Sequence, residues 1–553
     1  MDPKRRLAAI AAAALVAACA DDRPLDDRCV GCGTLVIAAT GEPAALLPPL
    51  VYETVARDIG DRVYERLAVL APGAAPIDDA AYRPALASRW ERVDSLAWRF
   101  HLRPGARWHD GRPVTADDVV FSFQAYADSA LDAPARASVA GIRAEAVDPA
   151  TVLLRFDAAS PEQLFDATWH VRVIPKHVWE PIPREAWPAD TATGRLVGSG
   201  PYRVQQWNRG ATLTLTSDTA RPATERAGIG RLVWRFTADP DAALNLLLSG
   251  EAHAIENLGA PDRVARAAAD SALALYRYPA AVYGFLGFRL ADRSGRAHPV
   301  LGDRAVRRAL AAAVDRNAMA RALYGPDAHA PAGPMSGLLW IGEAGIDTIA
   351  HDTAAAARML DAAGWRRAAG GMRRRGAVPL SLDVLVPTTS PARRQLAVML
   401  QEAWRRVGVE ATVTAVDFPV FQERLAQGRF DGYVGAYLDE PTPRGLGEQW
   451  GRAGWEALNH GHYFNPRFDS LLAAAGAMTD TAAARAAYHA ALDTLAADAP
   501  AIFLYTPVQV AAVRRQVRNV TIDPYSWLST IDTWTMPGEP GDAPTAAAAR
   551  ADP

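Results

Sequence analysis

The sequence of 553 residues predicts an α/β protein with more than one domain, and three observations carry that expectation. A chain of this length exceeds what one hydrophobic core supports, so two or three domains are expected. Leu380–Val386, Pro391–Val407, Val409–Val416, a helix opened by Asp417 and ended at Gly428, and Phe430–Tyr437 read as β-α-β-α-β. That order implies a parallel sheet with right-handed crossovers. Finally, Trp98, Phe100 and Leu102 alternate with Arg99, His101 and Arg103, the period of a strand with one buried face.

The remaining elements follow in chain order. Leu35–Thr40 is a short apolar strand, broken by Gly41-Glu42-Pro43. Pro104-Gly105 and Asp110-Gly111 are tight turns. Thr115 caps a helix with Asp117 and Asp118 in its positively polarised first turn and Val119 and Phe123 on its inward face. Ile142–Val147 and Thr151–Phe156 are strands joined at Asp148-Pro149. A strand at Tyr202–Trp207 follows Gly198-Ser199-Gly200-Pro201, and a strand at Leu232–Phe236 precedes a helix at Ala242–Leu248. Tyr283–Leu290 is a strand, and Asp303 opens one helix with Val306, Leu310 and Val314 on a face, closed at Gly325. Arg373–Arg375, in a glycine-bounded turn, reads as a solvated hairpin tip. Ser390 caps the helix that Gly408 stops.

The text from Leu86 to Phe123 contains W-R-F-H-L-R-P-G-A-R-W-H-D-G-R-P-V-T-A-D-D-V. This string resembles the signature of the extracytoplasmic peptide-binding lipoproteins of ABC importers, the oligopeptide/dipeptide/nickel-binding family known as solute-binding protein family 5. Similar family text appears at Val63–Leu67, Gly198–Tyr202, Val306–Met319 and Asn465–Asp469. The resemblance implies a two-lobed periplasmic-binding-protein type II fold, with an extra subdomain on the first lobe and a hinge between lobes. Mapped onto this chain, it implies lobe I at 33–61, 196–278 and 505–536, subdomain Ib at 62–195, and lobe II at 279–504. Residues 537–553 lose periodicity and read as a disordered tail.

Lys4, Arg5 and Arg6 precede an apolar run too short to span a bilayer, as in a signal peptide covering residues 1–18. Val16-Ala17-Ala18-Cys19 resembles a lipobox, which implies lipidation at Cys19 and a tether over 19–32. Cys29 and Cys32 lie C-x-x-C in that tether, where a local disulfide is the expectation in an oxidising compartment.

In parallel sheets, ligands sit beyond the carboxyl ends of the strands. That nominates Pro387–Ser390 with Thr388 and Thr389, Val416–Phe418, and Leu438–Pro443. Peptide-binding relatives place an Asp after a Gly-Trp pair at the last of these loops, to hold the peptide's ammonium. Here the text is F-D-G-Y-V-G-A-Y-L-D-E-P-T-P. Anchored on Phe430-Asp431, Glu440 falls on that Asp; anchored on Pro441, Tyr437 does. The first register makes Asp439 and Glu440 the anion candidates, with Tyr437 beside them. Trp455, among nearby aromatics, and Glu42, in the break after the first strand, complete the candidate set.

The other chemistries lack their groups. Ser199 lies in G-S-G-P-Y before a strand, not in the G-x-S-x-G elbow of a hydrolase. His460-x-His462 lacks neighbouring Cys or patterned carboxylates, so neither metal nor cofactor is expected. No Walker A string occurs, so the ATPase and permease would be separate chains. A net charge of −3 gives no reason to expect nucleic acid. The expected protein is a non-enzymatic, lipid-anchored monomer on the outer face of the bacterial membrane. Its ligand would be a peptide or another small solute, nickel chelates included.

Overall fold

The computed structural model describes residues 32–537 apart from 52, 223 and 224. The expectations for the signal segment, Cys19, Cys29 with its pairing to Cys32, and the tail beyond 537 therefore lie outside the described residues. Among the described residues no helix is long and apolar enough to cross a membrane.

Two sheets form the frame. The lobe I sheet has seven strands in the order Leu273–Pro279, Val508–Arg514, Ala254–Ile255, Cys32–Ala39, Ile229–Phe236, Thr212–Ser217, Tyr202–Asn208. The lobe II sheet has five, in the order Glu410–Val416, Ser381–Pro387, Gly432–Leu438, Val282–Phe288, Ala501–Tyr505. Ser381–Pro387 pairs in parallel with both Glu410–Val416 and Gly432–Leu438, as the β-α-β-α-β order requires. A four-stranded antiparallel sheet, Ala87–Asp94, Ala97–Leu102, Thr151–Phe156 and Ile142–Asp148, builds the subdomain on lobe I. Trp98, Phe100 and Leu102 are buried, and Val119 and Phe123 cover them from the helix Ala116–Ala127.

Two local expectations are corrected. The helix after Asp303 is two helices, Arg304–Ala312 and Arg316–Tyr324. Asp315 breaks it because its carboxylate accepts the Ala318 N–H and starts a new N-terminus. Arg373–Arg375 is solvated at Arg374 and Arg375 but not at Arg373. Arg373 is 2% exposed, and its guanidinium donates to Val407 O, Trp365 O and Asp361. It satisfies carbonyls left over at helix ends, which only a long multidentate donor can reach.

The chain passes between the lobes twice, at Pro279–Val282 and at Tyr505–Val508. The crossings lie side by side, with Ala280 N–H donating to Pro507 O at 3.0 Å. Few residues absorb any relative motion, which is the anatomy of a hinge.

The Gly198-Ser199-Gly200 turn is structural. A Cβ on Gly198 would lie 1.8 Å from Val63 O, so only glycine fits against the end of the helix Thr54–Val63. His109 clamps the turn: Nδ1 accepts the Gly198 N–H at 3.1 Å, and Nε2 lies 3.0 Å from Gly200 O. Asp118 does comparable work in the subdomain. Its carboxylate accepts from Trp108 Nε1, Thr115 N–H and Lys176 N–H, joining the W-H-D-G loop, the helix cap and the segment at 176. Asp118→Ala leaves these donors facing a void. It should lower stability by about 2–4 kcal/mol, read by urea denaturation followed through tryptophan fluorescence.

Candidate functional site

A cleft runs between the lobes, and its walls come from segments far apart in sequence. One cavity of about 150 Å³ is lined by Arg57, Glu256 and Ser526 of lobe I and by Leu438, Asp439 and Glu440 of lobe II. A second, of about 340 Å³, opens towards the subdomain and adds Tyr126, His170, Arg172 and Glu448. Arg57, Trp169 and Glu440 line both, so the two are parts of one site. Its size suits a small solute or short peptide.

Asp439 and Glu440 follow the strand Gly432–Leu438, which pairs antiparallel with Val282–Phe288. Asp439 N–H donates to Ala281 O at 2.8 Å, which fixes Asp439 against the hinge crossing. Its Oδ2 accepts the Ser336 N–H, and among the described residues no basic side chain pairs with it. Burial pushes the Asp439 carboxyl up to about 7, with Glu343 adding repulsion. Glu440 is 44% exposed to the cleft, with His170 Nε2 at 3.8 Å. Burial pulls His170 down to about 3, so this neighbour is neutral. Enclosure between the walls raises Glu440 too, opposed by Arg57 and Arg444.

The other residues singled out from sequence lie elsewhere. Tyr437 turns into the lobe II core: it packs on Phe285 at 4.9 Å and donates to Leu458 O at 2.6 Å. Thr388 donates to Asp417 at 3.1 Å and Thr389 is exposed; neither lines the cleft cavities. Trp455 stacks on His462 at 4.8 Å under the Arg452 guanidinium. Glu42 accepts from Trp207 Nε1 and Gly210 N–H, pinning the hairpin of lobe I.

Sequence reasoning missed the lobe I wall. Arg57 and Asp58 sit on the helix Thr54–Val63, Glu256 follows a two-residue strand, and Ser526 lies in the return to lobe I. The available signal was charge on the buried side of a helix: Asp58 and Arg62 are both buried beside Ile59 and Val63.

Immediately after Glu440 the lobe II loop clasps the subdomain. Thr442 Oγ1 donates to Glu162 at 2.8 Å, and the Arg444 guanidinium pairs with both Glu162 and Asp166. The clasp holds the cleft shut over the space beside Glu440.

Two α/β lobes joined by a double crossover, with a cleft walled by both, define a hinged solute-binding protein. Residues 81–452 match the family described as bacterial extracellular solute-binding proteins, family 5 Middle. The chain belongs to that family. It is 28% identical over 478 residues to Protein XP55 of Streptomyces lividans, covering 85% of this chain and 83% of that protein. Its fold resembles the oligopeptide-binding protein AppA of Bacillus subtilis in complex with a nonapeptide, at TM-score 0.74 and 22% identity, covering 91% of this chain and 99% of that one. It also resembles NikZ of Campylobacter jejuni in complex with Ni(L-His), at TM-score 0.73 and 22% identity, covering 91% and 99%.

Arg444→Ala should raise the open population of the ligand-free protein, seen as an increased radius of gyration in small-angle scattering. In a double-mutant cycle with Glu162→Gln, unfolding should show a coupling energy of about 0.5–3 kcal/mol.

Three carboxyls, Asp439 and Glu256 lining the cleft and Asp58 buried behind Ser526, give a second expectation. Burial raises Asp58 to about 6, Asp439 to about 7 and Glu256 to about 8. The charges facing them are Arg57, Asp61 and Arg62 for Asp58, Asp58 and Arg57 for Glu256, and Glu343 for Asp439. A folded-state pKa above the unfolded value means the native state binds more protons, so stability falls as pH rises through it. His170 and His460, drawn down by burial, act in the opposite sense but only below about 6.5. Between pH 7 and 8.5 the melting temperature of the ligand-free protein should therefore fall, and Glu256→Gln should flatten the slope.

Proposed function

We propose that this protein is the lipid-anchored receptor of an ABC importer, which captures a peptide or peptide-like solute between its lobes and delivers it to a membrane permease. The observation that carries the reading is the Asp439–Glu440 pair, set at the carboxyl end of a lobe II strand, beside the hinge and without a bonded cation. A ligand ammonium placed there gains charge-assisted hydrogen bonds from lobe II alone, and closure adds the lobe I side chains, Arg57 among them. That difference between open and closed states is what drives closure. Arg57, which lines both cavities and has no ion pair among the described residues, is suited to the ligand's carboxylate end. Anchoring through Cys19 would keep the receptor beside its permease, and the ATPase would be a separate chain.

Native mass spectrometry of residues 20–553, followed by denaturation, tests the reading through what co-purifies. A ladder of peptide masses supports it. A single non-peptide molecule or metal chelate keeps the receptor and removes the peptide assignment. Given peptide retention, Asp439→Asn with Glu440→Gln should weaken affinity by about 10- to 100-fold, measured by titration calorimetry.

A further inference from the structure

Opposite Asp439, the lobe I wall carries acidic side chains that the ammonium site does not use. Asp58 is 2% exposed, and its Oδ1 accepts from Ser526 Oγ at 2.6 Å. Its Oδ2 is buried with no hydrogen-bond partner among the described residues. Glu256 lies beside it and, with Ser526, lines the cavity of about 150 Å³. Among the described residues neither carboxyl forms an ion pair. Arg57 is the single basic side chain among the residues lining that cavity, which also presents Glu256, Asp439 and Glu440. A buried carboxylate oxygen left without a partner is rare in a native protein, because desolvation of the charge is not returned. One such oxygen, on Asp58 behind Glu256, leaves this wall of the cleft short of a positively charged donor.

We propose that Glu256, backed by Asp58, forms a second acidic subsite that takes a basic group of the ligand, so that the preferred solute carries a lysine- or arginine-type side chain next to its ammonium. This rests on the peptide reading of Asp439 and Glu440 and narrows it. One cation bridges Asp439 and Glu440 on lobe II, the other meets Glu256 on lobe I, and the ligand ties the lobes together by charge at both walls. Burial holds the Asp58 and Glu256 carboxyls well above the ordinary range in the empty protein, which fits groups awaiting a counter-charge.

Titration calorimetry of the full mature chain with tripeptides carrying lysine or norleucine at the first or second position separates charge from stem length. The lysine peptide of the preferred register should bind at least about 10-fold tighter than its norleucine counterpart. Glu256→Gln and Asp58→Asn should each erase most of that ratio and leave norleucine affinity within about threefold. Equal affinities in the unaltered protein overturn the subsite and leave the peptide reading standing, even if neither variant folds. A ratio that survives both substitutions overturns it as well. If no peptide binds while 1,5-diaminopentane does, and Glu256→Gln abolishes that binding, the subsite stands and the peptide reading falls. If neither peptides nor the diamine bind, both fall.

Discussion

The closed cleft depends on one charged contact, the grip of Arg444 and Thr442 on Glu162 and Asp166. Glu162 is 4% exposed in its side chain and Asp166 13%, so closing the lobes takes two carboxylates largely out of water. Such burial is offset only when the guanidinium meets both acids with good geometry. The net gain is accordingly small, and that suits a receptor. A clasp that favoured closure strongly would hold the empty protein shut, and one that opposed it strongly would cost ligand affinity. Its loop begins at Asp439, so the residues proposed to read the ligand and those that latch the lobes are a few bonds apart. Movement of one group cannot leave the other in place.

The hinge side is equally economical. Asp439 is hydrogen-bonded through its N–H to Ala281, and Ala280 is bonded to Pro507, so the ligand-facing loop and both crossings form one hydrogen-bonded strip. The aromatic layer beneath it, with Tyr283, Phe285, Tyr437 and Trp450 in edge-on and tilted contacts, gives the strip a rigid floor. The candidate binding groups, the latch and the two crossings thus share a small region between the two sheets.

Much of the frame was legible in the sequence. Alternation at 98–102, the capping Asp and Ser residues and the β-α-β-α-β order each express a local rule, and local rules survive in the fold. Asp439 and Glu440 were nominated because two arguments, sheet-edge geometry and family likeness, pointed to one loop, and that loop lines the cleft cavity. Tyr437 was nominated by the family register, which sets it on the Asp when anchored on Pro441, but its ring packs on Phe285 in the aromatic layer instead. Arg57, Asp58, Glu256 and Ser526 carry no motif. They meet only after some 470 residues of chain have closed lobe I, a contact between 58 and 526 that no spacing announces. Arg373 shows the converse: three arginines between glycines look solvated until the helix ends around them supply carbonyls.

The two crossings also say something about descent and assembly. Pro279 and Val508 are register partners in adjacent antiparallel strands of the lobe I sheet. Lobe II therefore hangs from the end of what is otherwise an ordinary β-hairpin, as a guest module spliced into a host that is continuous without it. Such a joint lets the two halves diversify at different rates, since a new guest needs only ends that fit the width of a hairpin.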